Sequence, residues 1–194
     1  MPVKFGKIQR QILKLLALQP DMNAYKIQEA LNIPPRNYPS VWKALQNLHE
    51  QGFVTATEGL SEKRVPIKFW KLSIEGLKQV LTENTLTPSE FKQAIFNYLK
   101  DEKAKQTLTI MYEELGEELA QKILSLSAAS YFSSEQKMDI GIFSALTQSI
   151  VLDKEVRKKL LSFLEKIITP NHEYYSIYLE TKKLIAEMEK AGLV

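Results

Sequence analysis

The sequence predicts a mainly α-helical protein carrying one small β-wing, and three observations predict it. Apolar residues recur at spacings of three and four through the first fifty residues and again beyond residue 85. One pair of stretches rich in β-branched and aromatic residues, 53–57 and 65–72, brackets a polar, cation-bearing tip. After that pair only helix signals remain. The 194 residues suffice for a substantial core, and a composition of 44% hydrophobic and 25% charged residues is that of a folded protein rather than a disordered or fibrous one. With no cysteine, a disulfide framework, a thiolate metal site and cysteine catalysis are excluded. The densest apolar stretch, Ile12 to Leu18, is interrupted by Lys14 and too short to span a bilayer. No membrane partner is expected, and the expected location is the cytoplasm.

Phe5, Ile8, Ile12, Leu15 and Leu16 mark one face of a first helix, which stops at Gln19-Pro20-Asp21. Asn23 can cap a short second helix, Ala24 to Leu31. Asn32 to Tyr38 must be a turn, because Pro34 and Pro35 deny the backbone its helical hydrogen bonds. A third helix begins near Pro39, a residue favoured where the missing N–H would go unpaired anyway. At 100° per residue Val41, Leu45 and Leu48 fall on its core side, and Ser40, Lys43, Asn47 and Glu50 fall opposite. Gly52 ends this helix. The strands Phe53–Thr57 and Val65–Leu72 follow with the tip Gly59–Arg64 between them, and Pro66 implies a sheet edge. Ser73 caps a fourth helix to about Leu81.

In the rear part Thr87-Pro88-Ser89-Glu90 spells a capping box for a helix Pro88–Leu99. Leu108, Met111, Leu115, Leu119, Ile123 and Leu126 mark one long helix. Ser133-Ser134 with Glu135 opens another, Asp153 opens Glu155–Ile168, and a last helix after Pro170 carries Tyr174, Tyr178, Leu184, Ile185 and Met188 on one side. These pieces should bury each other's stripes as a helical bundle. The expected architecture is therefore an N-terminal winged helix-turn-helix, residues 1–84, and a C-terminal helical domain, residues 85–194, for dimerisation or effector binding.

On Tyr25-Lys26-Ile27, then Ser40-Val41-Trp42-Lys43-Ala44-Leu45 through Glu50-Gln51-Gly52-Phe53-Val54, then Lys68-Phe69-Trp70-Lys71-Leu72-Ser73 with Gly76, the chain resembles the PadR-like family of transcription regulators over about residues 5–82. Where that family usually carries Tyr-Pro-Ala-Leu in the third helix, this chain has Trp42-Lys43-Ala44-Leu45. The turn Ile33-Pro34-Pro35-Arg36 running into Ser40-Val41-Trp42 is similar to the TrmB-like archaeal regulators. The wing followed by Leu-Ser and a capped helix is similar to MarR-like proteins. These resemblances jointly imply double-stranded DNA as partner, usually bound by a homodimer.

The charge pattern agrees in direction. Residues 1–80 hold 12 Lys/Arg against 6 Asp/Glu, whereas residues 81–194 hold 14 against 17, so a basic front carries the net charge of +3. A helix fits the major groove, and side chains near its N-terminal end reach base edges. On the helix 39–51, Ser40, Lys43, Ala44 and Asn47 should face the groove, with Arg36 and Asn37 in the preceding turn on phosphate or the first base pair. Asn47 or Gln46 can read adenine, and Lys43 guanine or phosphate. In the wing, 53–72, Lys63, Arg64 and Lys68 can follow the backbone or minor groove. Lys4, Lys7 and Arg10 can add phosphate contacts, and a plain solvated face fits them at least as well.

Blander readings stand beside these. An isolated polar helix face is more often simply solvated, and it is the complete winged-helix order that favours DNA here. The spacing of Trp42 and Trp70 with Val41, Leu45 and Leu72 predicts packing rather than base stacking. His49 and His172 have no supporting carboxylate motif and read as structural or exposed residues. Glu113-Glu114-Leu115-Gly116-Glu117-Glu118 reads as a solvated acidic face before it reads as a metal site. Tyr174, Tyr175 and Tyr178 fit a ligand pocket, a dimer seam or plain core equally well. No phosphate loop, nucleophile elbow or zinc motif occurs, so enzyme activity, a cofactor and a metal have no positive support. Two functions follow as expectations. One is a homodimeric regulator with recognition helices about 34 Å apart and room in the bundle for a small-molecule effector. The other is a winged-helix interaction module in a transcription or chromosome-associated complex.

Overall fold

The computed structural model describes residues 5–61, 64–83, 85–131, 154–170, 172 and 174–192, with the backbone alone for 126–131. The expected helix at Ser133–Glu135 lies outside them. The chain forms two compact units, residues 1–98 and 99–194. The first runs α1 (Lys7–Leu18), β1 (Met22–Asn23), α2 (Ala24–Ala30), a 3-10 turn (Pro35–Asn37), α3 (Tyr38–Glu50), β2 (Val54–Leu60), β3 (Pro66–Leu72), α4 (Ile74–Thr82) and α5 (Pro88–Tyr98). This is a winged helix-turn-helix in element order. The second unit contains α6 (Glu102–Leu115), α7 (Glu117–Tyr131), α8 (Lys154–Ile167) and α9 (Tyr175–Lys190).

Local chemistry sets the junctions around α3. Asn23 Oδ1 accepts the Lys26 N–H at 2.9 Å and starts α2. Helices α2 and α3 then stop in the same way, each at a residue in the left-handed region that folds the chain back on the last turn. After α2 this residue is Asn32 (φ 51°), and the Ile33 N–H returns to Gln28 O at 3.0 Å. After α3 it is Gly52 (φ 79°), and the Phe53 N–H returns to Leu48 O at 2.8 Å. Ser73 Oγ accepts the Gly76 N–H at 3.1 Å and donates to Gly52 O at 2.6 Å, tying the start of α4 to the end of α3.

The sheet order is β1-β3-β2, all antiparallel. The strand holding Pro66 is thus the central one, where the sequence suggested an edge. Its proline is tolerated because β1 pairs only with Phe69 and Trp70, so at Pro66 a single neighbour, Leu60, lies alongside. Trp70, fully buried, packs beneath α3 with Ile12, Leu16, Ile27, Leu45 and Leu48 in the same core.

Three further expectations are corrected. The division of the chain falls after Tyr98, not at 84/85, because α5 belongs to the first unit. Its capping box forms as expected, with Thr87 N–H to Glu90 Oε2 at 2.9 Å and Glu90 N–H to Thr87 Oγ1 at 3.3 Å. The helix it starts then satisfies carbonyls at the end of α1. Asn97 Nδ2 donates to Leu18 O at 2.8 Å, Gln93 Nε2 to Leu18 O at 3.2 Å, and Tyr98 Oη to Leu16 O at 2.8 Å. Tyr98 Oη also accepts the Leu72 N–H at 2.9 Å. The expected single helix from Leu108 to Leu126 is broken at Gly116, whose φ of 77° and ψ of 164° no helix accommodates. In α9, Tyr178 and Ile185 are buried, but Leu184 is exposed rather than on the inner stripe.

Candidate nucleic-acid interface

The buried stripe of α3 is Val41, Ala44, Leu45 and Leu48. Ala44 is therefore not on the groove-facing side expected for it: standing three residues after Val41 and four before Leu48, it lies on the same stripe and is 8% exposed. Opposite this stripe, the outer face centres on Pro39, Lys43, Gln46 and Glu50, of which Gln46 is half-buried and the others are exposed. Ser40, exposed, and Asn47, half-buried, flank it on one side, while Trp42 flanks it on the other. Arg36 and Asn37 occupy the 3-10 turn that delivers the chain into α3, and both are exposed.

The wing supplies the neighbouring charges. Its tip is closed by Ser61, whose N–H donates to Val65 O at 2.9 Å and whose Oγ accepts the Val65 N–H at 3.0 Å. Arg64 sits there in the left-handed region (φ 58°) and is exposed. Lys68 is exposed on β3, directly opposite Glu58 of β2. Lys63 and Lys4 lie outside the described residues. Arg36, Lys43, Arg64 and Lys68 form no ion pair with a described carboxylate. By contrast Lys14 is tied to Glu90 at 2.9 Å and Lys78 to Glu75 at 2.9 Å in the same unit. The Glu90 carboxyl titrates below its ordinary value, chiefly because it accepts the Thr87 N–H, with Lys14 adding to the effect.

Sequence reasoning passed over the aromatic side of this surface. Tyr25 at the start of α2 stacks on Tyr38 at the start of α3, with centroids 4.6 Å apart and planes at 16°. Burial, with the Tyr25 hydroxyl beside it, raises the Tyr38 hydroxyl above the ordinary tyrosine range. Trp42, expected to pack, is 37% exposed and stands edge-on to Trp70 at 6.0 Å. Trp70 packs as expected. The spacing of Tyr38 and Trp42, one helical turn apart, is the signal that puts both rings on one side of α3. His49 is structural: its Nδ1 lies 3.0 Å from Val54 O and its ring meets Trp70 edge-on at 5.8 Å.

In the second unit the acidic run is engaged by α8. Glu114 accepts from Ser162 Oγ at 2.8 Å and pairs with Lys166, and these bonds hold its carboxyl below the ordinary range, Lys166 contributing most. No group of three or more potential metal-ligating side chains occurs among the described residues. No described helix is long and apolar enough to cross a membrane.

No family model and no curated protein matches the chain. Among solved structures it is similar to a cysteine-to-serine mutant of Lactococcus lactis ZitR, at 26% identity and TM-score 0.37, covering 59% of this chain and 77% of that one. It is also similar to ZitR of the same organism described as a zinc-responsive MarR family member, at 23% identity and TM-score 0.36, covering 59% and 78%. A third likeness is to Bacillus subtilis PadR in complex with operator DNA, at 15% identity and TM-score 0.36, covering 97% and 94%.

Proposed function

We propose that this protein is a DNA-binding transcriptional regulator of PadR-like type that acts as a homodimer through its second unit. Helix α3 reads the major groove and the wing grips the backbone. The observation that carries this reading is a set of exposed cations with no carboxylate partner among the described residues, Arg36 and Lys43 at the front of α3 with Arg64 and Lys68 on the adjoining wing. Cations left free of carboxylate partners retain their attraction for phosphate. In this reading Lys43 and Gln46 meet base edges, Asn47 and Ser40 reach in from the flank, and Arg36 and Asn37 hold phosphate before the first base pair. Lys63 belongs with the wing cations on sequence grounds.

Selection of bound sequences from random duplex, followed by titration across a salt series, tests it. Lys43→Ala should weaken the selected site by about 1–3 kcal/mol and relax its sequence preference. Arg64→Ala with Lys68→Ala should weaken all duplexes alike and reduce the salt slope by about two. Absence of duplex binding even at low salt contradicts the reading.

A second reading draws on the apolar residues exposed on the wing, Leu60 at 63% and Val65 at 56%. Such residues suit a winged-helix interaction module in a transcription or chromosome-associated complex. A protein whose duplex binding is absent, and whose assembly with a partner is lost on Leu60→Asp, belongs to this class.

A further inference from the structure

Between the N-terminal ends of α2 and α3 and the outer half of the wing strands lies a cleft of about 360 Å³, within the size range of small-molecule sites. Tyr25, Tyr38 and Trp42 line one side, and Glu58, Ile67 and Lys68 the other. Two features distinguish it from an ordinary surface depression. The first is its aromatic surface, which is held in place rather than collapsed. Tyr25 is 65% exposed and Trp42 37%, yet each ring is fixed by another, Tyr25 by stacking on Tyr38 and Trp42 by its edge-on contact with buried Trp70. A flat, fixed ring surface open to water suits a planar guest, because offset stacking needs no rearrangement of the host.

The second feature is the polar rim. Side chains on a strand alternate between faces, so the sheet face that buries Trp70 at its base continues outward along β3 as Lys68 and Pro66. Glu58 stands directly opposite Lys68 on β2. Cross-strand neighbours of this kind have their Cβ atoms about 4.5–5.5 Å apart. Neither side chain is in an ion pair with another described residue, so a carboxylate acceptor and an ammonium donor stand side by side at the mouth of an aromatic cleft. Their complement is a ring edge with an N–H next to a C=O, which donates to Glu58 and accepts from Lys68.

We propose that this cleft binds a planar heteroaromatic small molecule whose edge carries an adjacent hydrogen-bond donor and acceptor. The site lies wholly within the first unit and is read with no DNA present, so it stands or fails apart from the DNA-reading proposal. Quinolin-2-one is a suitable probe, having two fused rings and a lactam edge, and its N-methyl derivative keeps the shape while losing the donor. Calorimetric titration of the full chain should show saturable one-site binding of quinolin-2-one. The N-methyl compound should bind at least about fivefold more weakly, as loss of one hydrogen bond to a charged acceptor implies. Tyr25→Ala removes a mostly exposed ring, so the fold survives, and it should weaken binding about tenfold. Glu58→Ala, which removes the acceptor, should erase most of the difference between the two probes while tryptophan emission confirms the native fold. No saturable binding up to millimolar probe, equal binding by the Tyr25→Ala variant, or equal affinity for both probes overturns the proposal.

Discussion

The two units hold their helices in different ways. In the first, short-range devices fix the junctions around α3, Asn23 and Ser73 as caps and Asn32 and Gly52 as left-handed stops, while Asn97 and Tyr98 reach from α5 to the carbonyls that end α1. In the second, long charged side chains reach between helices, with Glu114 held by Lys166 and Ser162, Arg157 by Glu189 at 3.2 Å and Lys182 by Glu165 at 3.1 Å. Neutral hydrogen bonds to helix ends are indifferent to salt, whereas ion pairs open to water, Lys182–Glu165 among them, are screened. The helix junctions of the first unit therefore rest mainly on neutral hydrogen bonds, with Lys14–Glu90 as an added ion pair. The two glycines at issue differ in the same sense. A Cβ on Gly76 would stand 2.0 Å from the Phe53 carbonyl oxygen, which is itself fixed by the Ser73 N–H at 3.0 Å. A Cβ on Gly116 would meet nothing within 4 Å, and there the demand is the backbone angle.

Both tryptophans lie in the first unit, so tryptophan emission during urea unfolding follows that unit while far-ultraviolet circular dichroism follows both. The largest effect expected is from Gly76→Ala, about 3 kcal/mol, seen as an earlier tryptophan transition, because backbone rather than a movable side chain blocks the new methyl. If that transition stays in place, the tie between α4 and the strand entry is looser than the geometry implies. Gly116→Ala should cost about 1–3 kcal/mol through strain alone, shifting the dichroism transition and leaving tryptophan emission unchanged. A shift in both would mean that the units unfold together. Glu114→Gln should have the smallest effect, a slightly earlier dichroism transition whose shift shrinks in high salt. A salt-independent loss would remove the contrast drawn between the units.

Alkali sharpens the same comparison. Burial pushes the Tyr98 hydroxyl up to about 12, the Leu72 N–H partly opposing the rise. Its ordinary value in an unfolded chain is about 10. The unfolded state therefore releases this proton first. The stability Tyr98 contributes is complete below about pH 10 and declines as pH rises toward 12. A tryptophan-detected midpoint that falls over this window in the native chain, and falls less in Tyr98→Phe, is the expected result. Equal falls would assign the loss to other groups.

Most of the first unit was legible because its signals are local. A cap, a left-handed stop and a proline at a helix start each act within a few residues, and the stops at Gln19 and Gly52 and the starts at Asn23, Ser73 and Thr87 could be read directly. What escaped depends on partners distant in sequence. Met22–Asn23 is too short to show alternation, and only its pairing with Phe69 and Trp70 makes it a strand. The attachment of α5 rests on Gln93, Asn97 and Tyr98 reaching residues 75 to 82 positions away. Gly116 sits within an apolar spacing that runs unbroken from Leu115 to Leu119, so periodicity hid the break. In the candidate interface, Ser40 and Lys43 are exposed on α3, and Arg36 and Asn37 are exposed in the turn before it. Ala44 is small enough to suit either side, and only its spacing to Val41 and Leu48 marks it as buried. The Tyr25–Tyr38 stack joins two helices, and no spacing within either one announces it.

The central proposal, that the exposed face of α3 lies in the major groove of duplex DNA, is tested most directly at guanine N7, an atom exposed only in that groove. Dimethyl sulfate methylation of a selected binding site should be blocked at guanines under α3 by the native protein, with protection lost at one position in Lys43→Ala and retained at the others. Tight, sequence-selective binding that leaves every guanine N7 in the site reactive would contradict it.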